Sequence, residues 1–192
     1  KYLNSNEEKD KLVQIAVSHY QFEAIHPFLD GNGRVGRLII SLFLFEKKLL
    51  SHPFLYLSEF FEEHRQDYYE LLRGVTEKQD WINWIKFFLN ALTTQARKAE
   101  NTGKEILKLH ATYKEKIIEI NSAHAISLLD AVFVRPIFTT ASLRKYVKIK
   151  STQTFFSLVA KFVAAGILNE INPEKKRNKI YVFTELMNLL KK

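Results

Sequence analysis

The stretch His26-Pro27-Phe28-Leu29-Asp30-Gly31-Asn32-Gly33-Arg34-Val35-Gly36-Arg37 decides how this chain is read. Gly31, Gly33 and Gly36 have the G-x-G-x-x-G spacing of a dinucleotide-binding turn. That reading needs a strand before the glycines and an acidic residue about 20 positions on. Here a helical pattern broken by Pro27 comes first, no β-branched run precedes Gly31, and residues 1–108 lack alternating strands and helices. The glycines make sense without a Rossmann sheet. Gly31-Asn32-Gly33 can take backbone angles that Ala cannot, so that its N–H groups converge. A helix starting near Arg34 directs its positive end at the same spot. Arg34 and Arg37 lie three apart on one helix face. Asp30 supplies a carboxylate able to hold Mg²⁺, which keeps several waters and binds through one or two carboxylates plus phosphates. His26 lies four residues before Asp30. Amides, two guanidinia, a metal carboxylate and a histidine within twelve residues make a nucleotide-phosphate site with a base beside it.

The whole chain sets the bounds. It has 192 residues and no cysteine, which excludes disulfide scaffolds, thiolate metal sites and cysteine nucleophiles. No apolar run approaches the roughly 20 residues that span a bilayer. The longest, Leu38 to Phe45, closes on Glu46-Lys47-Lys48. No signal peptide is visible, so a cytoplasmic protein with no membrane partner is expected. The chain opens on Lys1 rather than Met, and an upstream part is expected. The net charge is +8, and all of it lies late: residues 1–108 carry 15 Lys and Arg against 15 Asp and Glu, residues 109–192 carry 14 against 6. The asymmetry predicts two modules, the second with either a solvated basic face or a polyanion partner.

The periodicity predicts helices over Glu7–Ile25, with Leu12, Ile15, Ala16, Phe22, Ile25 and His19 on one face, and over Arg34–Lys48, apolar nearly all round and therefore central and buried. Ser58–Val75 reads as one helix with Ser58 as N-cap, and Trp81 towards Glu119 as a long helix capped by Asp80, with a bend at Gly103. From about Asn121 the texture changes. Short helices are predicted at Ile126–Phe133, Thr140–Tyr146 and Ser151–Ala165, the last ended by Gly166. Strands at 167–171 and 179–183 flank a polar turn. Three helices and a basic-tipped hairpin have the layout of a winged helix-turn-helix. The fold class is therefore mainly α: an all-helical bundle over residues 1–110, then a small α+β winged-helix domain over 111–192.

The motif resembles the Fic family signature HPFx(D/E)GNGRxxR and matches it at every specified position. The likeness extends to "AVSHYQFEAIHPF", "LYLSEFFEEHRQDYYELL" and "WINWIKFFLNAL", covering roughly residues 1–108. The tail resembles, less specifically, the winged-helix modules appended to Fic domains. Fic proteins typically move AMP from ATP to a Ser, Thr or Tyr hydroxyl of a target protein. Carried over by motif position, the resemblance implies that His26 deprotonates the hydroxyl, Pro27 sets the loop's entry and Phe28 anchors the loop in the core. It implies that Asp30 binds Mg²⁺ on the phosphates, that Gly31, Asn32 and Gly33 form the anion nest, and that Arg34 and Arg37 grip the outer phosphates.

Two family features are not recognised. Residues 1–6 are too short to supply the hairpin flap that aligns the target. The inhibitory (S/T)xxxE(G/N) helix has only weak echoes: Ser58 with Glu62 is followed by Glu63, and Ala96 with Glu100-Asn101 lacks the hydroxyl. Both read as structural, as do Tyr68-Tyr69 and Trp81/Trp84. In the tail, Ser151, Thr152, Gln153, Ser157 and Lys161 are expected to face outward from the second helix of the pair, and Lys175, Lys176, Arg177 and Lys179 to tip the wing. Such residues serve DNA, while winged helices also dock proteins. A homo-oligomer stays open. Three functions follow: protein adenylylation, removal of AMP by the same site, or a DNA-binding regulator with a vestigial site.

Overall fold

The structure, a computed structural model, describes residues 2–4, 10–175 and 179–191. It is mainly helical with one small sheet, and it divides into two compact units, residues 1–100 and 101–192. The division falls inside a continuous helix, ahead of the expected boundary at 110.

In the first unit, α1 (Lys11–Ile25) starts where the Asp10 side chain accepts bonds from the Leu12 and Val13 N–H groups. The start predicted at Glu7 falls outside the described residues, and the Asp10 cap places the observed start at Lys11. The helix ends at His26, which adopts φ 49°, ψ 58° and donates its N–H to the Phe22 carbonyl. α2 (Asn32–Glu46) begins ahead of the predicted Arg34, because Gly31 at φ 84° already turns the chain. It packs on α1. It is not buried all round: Ile40, Phe43 and Leu44 face the core, while Leu38, Leu42 and Phe45 are exposed.

The helix expected over Ser58–Val75 is two, α3 (Ser58–Glu63) and α4 (Arg65–Lys78). The break is at His64, φ −115°, ψ 37°. Its ring nitrogen Nδ1 lies 2.9 Å from the Phe60 carbonyl, and the ring stacks on Phe60 with centroids 4.1 Å apart. A side chain competing for a helix carbonyl bends a helix in this way. Leu57, not Ser58, is the N-cap residue. α5 (Trp81–Lys116) is capped by Asp80 through the Asn83 N–H and runs through Gly103 without interruption. A lone glycine costs a helix only about 1 kcal/mol, so it need not bend one.

The core of this unit is aromatic. Trp84 is fully buried and donates its indole N–H to the Ala16 carbonyl at 3.0 Å. His19 lies against Phe61, Trp84 and Phe88, and shares a 3.0 Å hydrogen bond with the Tyr68 hydroxyl. Burial lowers its pKa to about 4.

The second unit contains α6 (Ala125–Val134), β1 (Ile137–Thr139), α7 (Thr140–Leu143) with a 3₁₀ turn over Arg144–Tyr146, α8 (Thr152–Ala164), β2 (Asn169–Glu170), β3 (Ile180–Val182) and α9 (Thr184–Leu190). The sheet is antiparallel in the order β1-β3-β2, with Phe138 opposite Tyr181 and Glu170 opposite Tyr181 from the other side. The sequence pattern does not predict β1 or α9. Three residues bounded by Pro136 and a Thr139–Ser142 capping box are too short to show a period. Gly166, at φ 68°, ends the α8 segment as predicted. Leu128, Leu129, Phe155, Phe162 and Phe183 fill the core.

His19 makes stability depend on acidity. A histidine with its folded pKa near 4 and an unfolded value of 6.5 binds more protons when unfolded. Its contribution is complete above about pH 6.5 and is lost as pH falls towards 4, at a cost of roughly 3 kcal/mol. Thermal unfolding across that window should show the fall, and His19→Gln should flatten it.

Candidate functional site

The loop between α1 and α2 is closed by Asn32. Its carboxamide donates to the Phe28 carbonyl at 2.6 Å and accepts from the Phe28 N–H at 2.9 Å. The side chain is buried, so it shapes the loop from inside, while the Asn32 backbone stands at the first position of α2. Phe28 is half exposed and reaches Phe22 with centroids 6.2 Å apart. Phe28, expected to anchor the loop in the core, is thus half exposed, and the Asn32 amide holds the loop by satisfying two backbone groups at once.

Gly31 caps α2 with no side-chain bond to the helix. The N–H groups of the first turn therefore stay open, at the positive end of the helix. A Cβ at Gly31 would press on the Arg34 guanidinium at 3.3 Å, and one at Gly33 on that of Arg37 at 3.2 Å. Both guanidinia lie over these glycines, beside the open amides. Their pairing differs. Arg34 Nη2 is 3.1 Å from Asp30 Oδ2, and Asp30 Oδ1 accepts the Gly31 N–H at 2.7 Å. Arg37 has no carboxylate within ion-pair distance among the described residues, and His26 is exposed.

These groups line one cleft of about 560 Å³. His26, Asp30, Gly31, Gly33, Arg34 and Arg37 form one wall. α3 and α4 supply the other, with Ser58, Phe61 and Glu62, then Arg65, Tyr68 and Tyr69. Arg65 pairs with Glu62 at 3.6 Å and lies over the Tyr69 ring at 5.9 Å. The sequence pattern marks Ser58, Glu62 and the tyrosines as structural. Of these, Tyr68 is buried with its hydroxyl on His19, while Ser58, Glu62 and Tyr69 face the cleft. Leu29 and Arg65 also line it, and sequence reasoning assigns neither of them a role. The helix break at His64, which no periodicity shows, sets where α4 starts and so where Arg65 falls.

Asp30 is exposed, and it belongs to no group of three or more acidic or histidine side chains able to hold a metal ion among the described residues. A single carboxylate in an open cleft suits Mg²⁺ that arrives on phosphates and keeps its waters. It would not suit an ion held by protein alone.

In the second unit, Ser151, Thr152, Gln153, Ser157 and Lys161 are exposed on α8 as predicted. Thr152 is tied to Arg144, whose Nη1 donates to its hydroxyl at 2.6 Å. Lys161 reaches the Ile120 carbonyl at 3.4 Å. Lys175 is exposed. Lys179 is paired with Glu170 at 2.8 Å, so it is not the free wing cation expected. Lys176 and Arg177 lie outside the described residues. A basic group that the sequence reading does not single out precedes α8: Lys145, Lys148 and Lys150 are exposed, the last two alternating with buried Val147 and Ile149.

Comparison with known proteins agrees with the motif. The model of the Fic/DOC family matches residues 1–44, which hold the entire loop. A protein of Aquifex aeolicus named "Probable protein adenylyltransferase" is 36% identical over 76 residues, 40% of this chain and 21% of that protein. The fold resembles the crystal structure of a Fic family protein from Desulfovibrio desulfuricans G20, with a TM-score of 0.51 and 24% identity, over 95% of this chain and 51% of that one. The chain thus spans about a fifth of the curated relative and about half of the solved one, and its N-terminal segment is matched by the Fic/DOC family.

Proposed function

We propose that the first unit is a Fic-type nucleotidyltransferase that moves AMP from ATP to a side-chain hydroxyl of a target protein. One observation carries the reading: open helix amides, Arg37 with no carboxylate within ion-pair distance among the described residues, and an exposed His26 line the same cleft. The family match and the named relative support it. In the reaction, the target Ser, Thr or Tyr oxygen attacks the α-phosphorus of ATP, and pyrophosphate leaves. His26, exposed in the cleft, takes the hydroxyl proton, the general-base role that histidine fills most often. The first-turn amides of α2 and the Arg37 guanidinium hold phosphate oxygens as charge shifts onto the leaving group. Arg34 joins them when Asp30 releases it. Asp30 is the residue that would hold Mg²⁺, which supplies charge neutralisation on the phosphates. The protein's own share is therefore placement and electrostatics, the terms that dominate phosphoryl transfer.

Incubation of lysate with labelled ATP tests the reading. The chain should label protein, and His26→Ala should lower labelling by about 10²–10⁴ while ATP binding persists. Near-normal labelling by the variant would overturn the role of His26. Loss of label from a pre-adenylylated protein would favour removal of AMP.

For the second unit we propose a winged helix-turn-helix that binds duplex DNA. The element order α6-β1-α7-α8-β2-β3 and the sheet order β1-β3-β2 support it. So does the placement of Lys145, Lys148 and Lys150 ahead of the exposed polar start of α8, where helix-turn-helix proteins meet phosphate and base edges. Binding to a random duplex should weaken steeply with salt. Replacing the three lysines by Ala should reduce the log–log salt slope by about one unit for each lysine that touches a phosphate. A slope unchanged in that variant, or no shift at low salt, would leave the exposed Phe156 face as a protein-docking surface instead.

A further inference from the structure

Behind the anion site sits a carboxylate that the proposed reaction does not use. Glu23 is on α1, one turn before His26. Its Oε1 is sealed from solvent and has no hydrogen-bond partner among the described residues. A Cβ on Gly36 would collide with that oxygen, so the carboxylate rests on the α2 backbone one residue before Arg37. Charged or titratable groups face it from the elements packed around it. Arg37 of α2 and His26 of the loop attract the carboxylate. Tyr68 of α4 is pushed to a higher pKa by burial and then by the Glu23 charge. His19, one turn earlier on α1, is held neutral by burial.

We propose that Glu23 is the counter-charge of the anion site, balancing Arg37 while the site is empty and taking up a proton from solvent when a polyanion engages Arg37 and the α2 amides. The inference rests on the phosphate-binding reading of this cleft, and Glu23 acts in it as a positioning residue, through Arg37. Without an anion, the positive charge of Arg37 favours the ionised form and offsets part of the cost of burial, which remains the larger effect. An arriving polyanion cancels that field. The carboxylate is then a half-buried negative charge with one sealed, unsatisfied oxygen, and the neutral form is favoured. Burial already raises its pKa above the ordinary carboxylate value, so a modest change of field suffices. Anion binding and protonation are then linked: each favours the other by the same factor. Polyanions bind more tightly as pH falls, until Glu23 is neutral in the empty site as well.

The test is calorimetric titration of the full chain with pyrophosphate in two buffers of different protonation enthalpy, which counts the protons taken up. Wild type should take up more protons per pyrophosphate than Glu23→Gln. The variant should bind several-fold more tightly above neutral pH, with a flatter pH dependence. Glu23→Ala, which puts no new polar group beside Gly36, should give the same proton count as Glu23→Gln. Thermal unfolding supplies a readout without ligand. A carboxyl whose folded pKa is raised loses stability as pH rises through that value. Wild type should therefore lose ground to Glu23→Gln as pH rises. Equal proton counts and equal affinities in wild type and Glu23→Gln would overturn the proposal. Pyrophosphate that does not bind, or that binds equally well to Arg37→Ala, would instead overturn the phosphate site itself.

Discussion

The cleft depends on the side chain of Asn32. The loop has to leave α1 at His26, pass Pro27, and start α2 at Asn32 with a free N-terminus. Backbone groups inside such a loop need partners. The Asn32 carboxamide meets the N–H and C=O of Phe28 together, at 2.9 and 2.6 Å, from a buried position. Aspartate would offer no N–H to the carbonyl, and glutamine would carry one methylene too many. With Phe28 pinned, His26 is left in the left-handed region and Asp30 next to Gly31, while the first-turn amides of α2 carry no side-chain cap. The Asn32 side chain thus sets the path of the loop, and Gly31 leaves the start of α2 without a side-chain cap.

The second constraint is the close approach of α1 and α2. Gly36 lets Glu23, His19 and Phe22 come within contact of the α2 backbone, where any side chain would clash with the Glu23 carboxylate. This places a row of polar atoms behind the site. His19 Nδ1 and Glu23 Oε1 are buried without partners among the described residues, next to an otherwise aromatic core. Buried polar groups left unpaired are costly. They persist here because the close approach of α1 and α2 at Gly36 presses both side chains against the α2 backbone.

Much of this is legible in the sequence. The motif shows one wall of the cleft because its chemistry is local: amides, guanidinia, a carboxylate and a histidine within twelve residues. Helix positions in both units follow from 3.6 periodicity, and the Asp80, Ser151 and Gly166 signals mark true ends. The rest depends on tertiary partners. Whether α2 is buried all round is decided by what packs on it, and Leu38, Leu42 and Phe45 are exposed. The break at His64 comes from one ring nitrogen near one carbonyl. β1 exists only through pairing with the distant β3, Ile137 opposite Val182, so no local pattern announces it. Lys179 reads as a free cation until Glu170 is seen across the hairpin.

The rear and the front of the cleft differ in stiffness, and this bears on what each can do. The rear is fixed. Tyr68 is held by His19 and by stacking on Phe61, and His19 is itself stacked on Trp84, whose indole is bonded to Ala16. Such an aromatic lattice has few rotamers open to it. The front carries exposed Leu29, Tyr69 and Asp30, and an Arg65 whose partners Glu62 and Tyr69 lie at 3.6 and 5.9 Å. Exposed pairs of this kind contribute little to stability and rearrange readily. A fixed rear gives the cleft one shape whatever enters it. An adaptable front can adjust to groups that differ from one ligand to the next.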